Sequence, residues 1–82
     1  MQTLIVSPKD LGITLRQLRK EKGLTQAQLG SRVGLDQKKV SLIENGNGNS
    51  RLDTLFRLLS ALEVGFLIHP KLEPTSTNED SW

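Results

Sequence analysis

Apolar residues recur at helical spacing through the first sixty or so positions of this chain, then gather into an unbroken run near its end. Leu11, Leu15 and Leu18 stand at i, i+4 and i+7, which gives one helix an apolar stripe. Ser7-Pro8-Lys9-Asp10 is a strong start for that helix. Serine accepts from the orphan amides, proline tolerates the first helical position, and the acid complements the dipole. Gly23 stops it at about Lys22, as a left-handed C-terminal residue. Thr25-Gln26-Ala27-Gln28 has the order of a capping box, and Leu24 is placed to staple against Leu29. The second helix puts Leu29 and Val33 on one face and ends at Gly34, too short to be stable except by packing. Asp36 caps a third helix with Val40 and Ile43 inward and Gln37, Lys38, Ser41 and Leu42 pointing elsewhere. Asn45-Gly46-Asn47-Gly48-Asn49 is a loop that no helix continues through. Ser50 then predicts another cap, and Leu52, Leu55, Phe56, Leu59 and Leu62 a core-facing stripe behind it.

From Val64 the period changes. Val64-Gly65-Phe66-Leu67-Ile68-His69 is apolar, β-prone and closed by Pro70, which predicts a short strand built on Val64, Phe66, Leu67 and Ile68. A lone strand leaves its backbone groups unpaired, so it must join Leu4-Ile5-Val6 or a second copy of the chain. Glu73 to Ser81 holds no large apolar residue and reads as a flexible tail, ending in the only tryptophan, Trp82. The expected architecture is mainly α: a compact bundle of four to five helices plus one short C-terminal strand. Residues 1–70 form the domain and residues 71–82 the tail.

Composition narrows the function. A chain of 82 residues has room for one small domain, and such a chain buries only about 60% of its unfolded surface. It has no cysteine, so neither a disulfide framework nor a thiolate metal site is available. Tight helix packing or oligomerisation must compensate. Met1 to Val6 lacks the basic region of a signal peptide, and no apolar run approaches the roughly 20 residues of a membrane span. The expected location is the cytoplasm, with no membrane partner. No nucleophile–base–orienter set, metal cluster or phosphate-cradling loop is present, which argues against an enzyme, a cofactor or a metal. His69, the lone histidine, reads as an ordinary polar residue. Net charge is +2, but residues 1–63 carry ten Lys/Arg against six Asp/Glu, and the excess acid lies beyond them. A basic body with an acidic tail suits nucleic-acid contact by the body.

Two short helices joined through Gly34 have the layout of a helix-turn-helix. In such a unit the second helix lies in the major groove with its first residues at base edges. Leu29, Val33, Val40 and Ile43 supply the apolar inner face, Gln26 stands where amides and a dipole meet phosphate, and Gln37, Lys38, Lys39 and Ser41 supply the outer face.

Arg19-Lys20-Glu21-Lys22-Gly23-Leu24-Thr25-Gln26, followed in register by Leu29, Val33-Gly34 and Ile43-Glu44-Asn45-Gly46, resembles the Xre/phage-repressor helix-turn-helix family over about residues 11–64. Ser7-Pro8 before the first helix, the apolar strand and the tail ending in Trp82 look like the HipB-type antitoxins within it. The resemblance implies a homodimer that shares the strand as a small β-lid, binds a pseudo-palindromic double-stranded operator and a HipA-like serine/threonine kinase toxin, and represses its own operon. The alternative is a stand-alone phage-type repressor without a toxin partner. Carried over by position, Gln37, Lys38 and Ser41 meet base edges, while Gln26, Gln28, Lys39, Asn45, Asn47 and Arg51 meet the DNA backbone. Lys39 is equally suited to a base. Arg19 and Glu44 match a structural ion pair; without the motif they would read as a surface pair worth well under ~1 kcal/mol. Trp82 is either an inert terminal aromatic or an anchor for a partner's pocket. The chain departs from the family at Gly30, usually alanine, and at Leu42, on a face usually polar, where it suits a thymine methyl.

Overall fold

In the computed structural model, which describes residues 3–47 and 49–71, local capping chemistry sets most helix boundaries. The Ser7 hydroxyl accepts from the Asp10 amide and starts α1, Pro8–Glu21. Thr25 and Gln28 close a reciprocal capping box at the start of α2, Gln26–Val33. Gly34 then ends that helix at φ 77°, a left-handed conformation natural to glycine. Asp36 caps α3, Gln37–Glu44, by accepting from the Lys39 amide at 2.9 Å. The fourth helix differs from expectation. α4 spans Leu52–Ala61 with Arg51, not Ser50, at its cap and no side-chain cap bond. Asp53 still falls in the first turn, where it complements the dipole and pairs with Arg51 at 3.3 Å.

The core is one cluster of Leu15, Leu29, Val33, Val40, Ile43, Leu58, Leu59 and Leu62. Leu11, Leu18, Leu24 and Leu55 pack around it. α3 lies against both α1 and α2, and α4 closes the far side of α2. The stripe expected on α4 is therefore rotated: Leu58 is buried, whereas Leu52 and Phe56 are 65% and 47% exposed. Two overlapping stripes fit the spacing, and α2 selects the one that fits its own surface.

Backbone approach is close at two glycines. A Cβ on Gly12 would stand 2.6 Å from the Ile43 carbonyl oxygen, so only glycine lets α1 lie this near the end of α3. A Cβ on Gly30 would overlap the Leu35 carbonyl oxygen and press on Val40 Cγ2 at 3.3 Å. Away from the core, Lys22 at the end of α1 pairs with Glu63 beyond α4. The hydrogen bond and charge of Lys22 hold the Glu63 carboxyl below its ordinary pKa. That small contribution is present above the ordinary glutamate range and is lost as pH falls through the depressed value.

The expected C-terminal strand is not formed among the described residues, which hold helices and no strand. Val64 packs against the core, but Leu67 and Ile68 are 85% and 89% exposed. Phe66 meets only the edge of Phe56, with centroids 5.4 Å apart and planes at 70°. Leu4, Ile5 and Val6 do not pair with this segment and are themselves exposed. The physical reason is that a ladder needs a second strand, and among the described residues the N-terminal segment does not supply it. Trp82 lies outside the described residues.

Gly30→Ala tests the α2–α3 contact. Helix propensity favours alanine by up to about 1 kcal/mol, but overpacking against a backbone carbonyl costs roughly 1–3 kcal/mol. The expected outcome in thermal unfolding followed by circular dichroism is a Tm lower by several degrees. An unchanged or higher Tm would show that the turn opens freely.

Candidate nucleic-acid interface

The outer side of the helix pair is organised around a buried charge pair. Arg19, on the core side of α1, donates from Nε to Glu44 Oε2 at 2.6 Å and from a terminal nitrogen to Oε1 at 3.1 Å. Its other terminal nitrogen donates to the Leu24 carbonyl at 2.7 Å, just before α2. The two side chains are 8% and 2% exposed. The surface-pair reading is thus excluded, and one guanidinium ties α1 to the last turn of α3 and to the entry of α2. The hydrogen bonding is complete: among the described residues no buried side-chain nitrogen or oxygen lacks a partner.

A chain of amides leads outward from this pair. Gln26, at the first position of α2, donates from Nε2 to Glu44 Oε1 at 3.1 Å. Gln37, at the first position of α3, donates from Nε2 to Gln26 Oε1 at 3.5 Å. The open groove beside them, about 660 Å³, is bordered by Arg16, Gln26, Gln37 and Asn45. Two of the residues assigned to base edges or phosphate are therefore linked, with Asn45 across the groove.

The other candidates sit around this centre. Lys38 is exposed on α3 beside Gln37, and Ser41, half-buried, follows Gln37 by one turn. Leu42 is 38% exposed in the same outer stripe, one turn after Lys38. Lys39 turns away: its Nζ donates to the Asn49 carbonyl at 3.1 Å and fastens the loop to α3. Asn45 and Asn47 are exposed at the end of α3, where the Asn47 amide donates to the Leu42 carbonyl at 2.9 Å. Gln28 spends its carbonyl on the Thr25 amide, at 2.9 Å, in the capping box. Arg51 is exposed at the head of α4.

Two residues escaped the sequence reading. Arg16 stands one turn before Arg19 and borders the groove, a position that the i, i+3 spacing made available. Arg57 reaches from α4 to the Val33 carbonyl, 2.9 Å away, and satisfies the end of α2.

These features define a helix-turn-helix protein whose second helix presents an amide and an ammonium group from a locked support. The helix-turn-helix domain model matches residues 10–65. Antitoxin HipB of Escherichia coli K12 is 30% identical over 79 residues, which is 94% of this chain and 90% of that protein. A structure of a HipA–HipB–O2–O3 complex superposes with a TM-score of 0.76 at 30% identity, covering 87% of this chain and 100% of its counterpart. The restriction-modification controller protein of Aeromonas hydrophila superposes at 0.67 with 36% identity, over 71% of this chain and 84% of its own. The chain belongs to the helix-turn-helix family, among its Xre-type members of the HipB antitoxin kind. This is a family of DNA-binding regulators rather than of enzymes.

The buried pair yields a sharp expectation. Removing one partner strands a charge, and Arg19→Met or Glu44→Leu should each cost about 3–5 kcal/mol, a large part of the stability of a small domain. The double variant should cost much less than the sum, because no charge is left behind. Urea unfolding of all three proteins measures this, and additive losses would show the pair to be uncoupled.

Proposed function

We propose that this chain is a sequence-specific transcriptional repressor and the antitoxin of a type II toxin–antitoxin module. It acts as a homodimer on a pseudo-palindromic double-stranded operator, binds a HipA-like serine/threonine kinase toxin and represses its own operon. The observation that carries this reading is the linked set Arg19, Glu44, Gln26 and Gln37, which sets an exposed amide on the first turn of α3 at the rim of a buried ion pair. The similarity to HipB along nearly the whole chain supports the toxin partner.

In this reading α3 enters the major groove. Gln37 suits adenine and Lys38 guanine, Ser41 reaches the next base, and Leu42 meets a thymine methyl. Gln26, Gln28, Asn45, Asn47 and Arg51 hold phosphate, and Lys39 joins them when it releases Asn49. The two copies of Val64 to Ile68 pair as strands, covering the apolar flank that Phe56 and Phe66 leave open. The tail, residues 71–82, reaches the toxin through Trp82. A stand-alone regulator without a toxin is the second reading, favoured by the likeness to the restriction-modification controller protein.

Replacing Gln37 and Lys38 together by alanine should weaken operator binding and flatten the preference for operator over random DNA, measured by titration at fixed salt. Unchanged preference would overturn the base-reading assignment. Mass measurement in solution should give a dimer, and a stable monomer at micromolar concentration would overturn the shared strand. Deleting residues 72–82 should leave DNA binding intact and weaken capture of a co-expressed HipA-like kinase. If the full chain captures no such kinase, the stand-alone reading replaces the antitoxin reading.

A further inference from the structure

The outer face of α3 is polar apart from one leucine. Leu42 is 38% exposed and takes no part in the core cluster, to which α3 gives Val40 and Ile43. Among the described residues, the other large exposed apolar side chains lie before or on α1, on α4 or beyond it. We propose that Leu42 reads the C5-methyl group of a pyrimidine as such, so that methylation of a cytosine at its position strengthens binding. The ligand class is double-stranded DNA carrying 5-methylcytosine. The proposal rests on the major-groove placement of α3 given above and adds to it a response to covalent marking of the DNA.

Leucine has no donor or acceptor, so at a base edge it discriminates only by contact with apolar surface. The major-groove edges of the base pairs offer polar groups and a single apolar one, the C5-methyl of thymine. The surroundings of Leu42 leave it to this task. Lys38 stands one turn before it and Asn45 one turn after it, both exposed, and half-buried Ser41 is its neighbour in sequence. When α3 enters the groove, Leu42 loses water against the base edges, and that loss is favourable over a methyl group. Its backbone is held in place: the Asn47 amide donates to the Leu42 carbonyl at 2.9 Å and closes the end of α3.

Cytosine methylated at C5 carries its methyl at the same ring position as thymine. The two bases differ at C4, where thymine offers an acceptor and cytosine an amino donor. Leu42 is blind to that difference, whereas Lys38, which only donates, favours the thymine oxygen. The methyl contribution is therefore separable. It is the gain of thymine over uracil, and of 5-methylcytosine over cytosine, within otherwise identical duplexes. One methyl removed from water corresponds to about fourfold in affinity for each comparison.

The test uses the full-length protein and a duplex enriched from a randomised library. Each thymine of that duplex is replaced in turn by uracil, for the wild type and for Leu42→Ala, a truncation outside the core. The position under Leu42 is the thymine whose replacement weakens the wild type about fourfold and leaves Leu42→Ala unaffected. That T·A pair is then changed to C·G, with and without the 5-methyl group. Methylation should strengthen wild-type binding about fourfold and leave Leu42→Ala unchanged. Equal or weaker binding of the methylated duplex would overturn the proposal, as would a uracil scan in which no position distinguishes the two proteins. A methyl gain that persists in Leu42→Ala belongs to another residue and overturns it too. If the wild type enriches no sequence, the operator-reading function fails and this inference with it.

Discussion

The bond network between Arg19 and Glu44 is the constraint on which the helix pair depends. α2 and α3 have eight residues each, well short of the length at which a helix holds itself together in water. Their apolar faces supply the packing energy, but apolar contact is non-directional and leaves two short rods free to slide. One guanidinium that bonds the last turn of α3 and the entry of α2 removes that freedom, and Gly12 lets the α1 backbone come close enough for it. Well-packed apolar residues in place of such a pair are often as stable or more so. What the charge supplies is therefore geometry: a polar anchor at the rim of the core, from which Gln26 can hold Gln37.

How much of this was legible in the sequence depends on how local each interaction is. Ser7, Thr25 and Asp36 were readable as caps because a cap is decided within four residues. Ser50 failed because the start of α4 is set by how the preceding loop is fastened. Lys39 holds Asn49, and the Asn47 amide returns to the Leu42 carbonyl, so the chain reaches helical conformation one residue later. The stripe on α4 was legible as a period but not as a phase, since Leu52 and Phe56 fit the spacing as well as Leu58 does. Contact with α2 makes the choice. The Arg19–Glu44 pair spans 25 positions, and no spacing rule predicts it; only the family resemblance pointed there. Its burial, and the two amides strung from it, required the folded chain.

The C-terminal segment failed for a different reason. Its composition is that of an apolar run, but a strand is a property of a pair of segments, and Leu4-Ile5-Val6 does not pair with it. The isolated chain therefore leaves Leu67 and Ile68 in solvent and Phe66 on the edge of Phe56. A small domain without disulfides has few other ways to gain burial than association. Phe66, Leu67 and Ile68 form an exposed apolar flank.

In the dimer proposed above, that flank would also govern how the two reading helices stand apart. A symmetric dimer reads half-sites one helical turn apart, so a small rotation at the shared segment becomes a misplacement at the bases. The path between them runs through three contacts. Phe66 rests on Phe56 of α4, α4 packs on α2, and Arg57 of α4 bonds the last carbonyl of α2, next to the Gly34 turn that leads into α3. α4 is then the spacer of the assembly, and Arg57 is its fastening to the reading head. A charged residue beside the apolar face of α4 is reasonable on those terms: a directional bond fixes an angle that leucine contacts alone would leave loose.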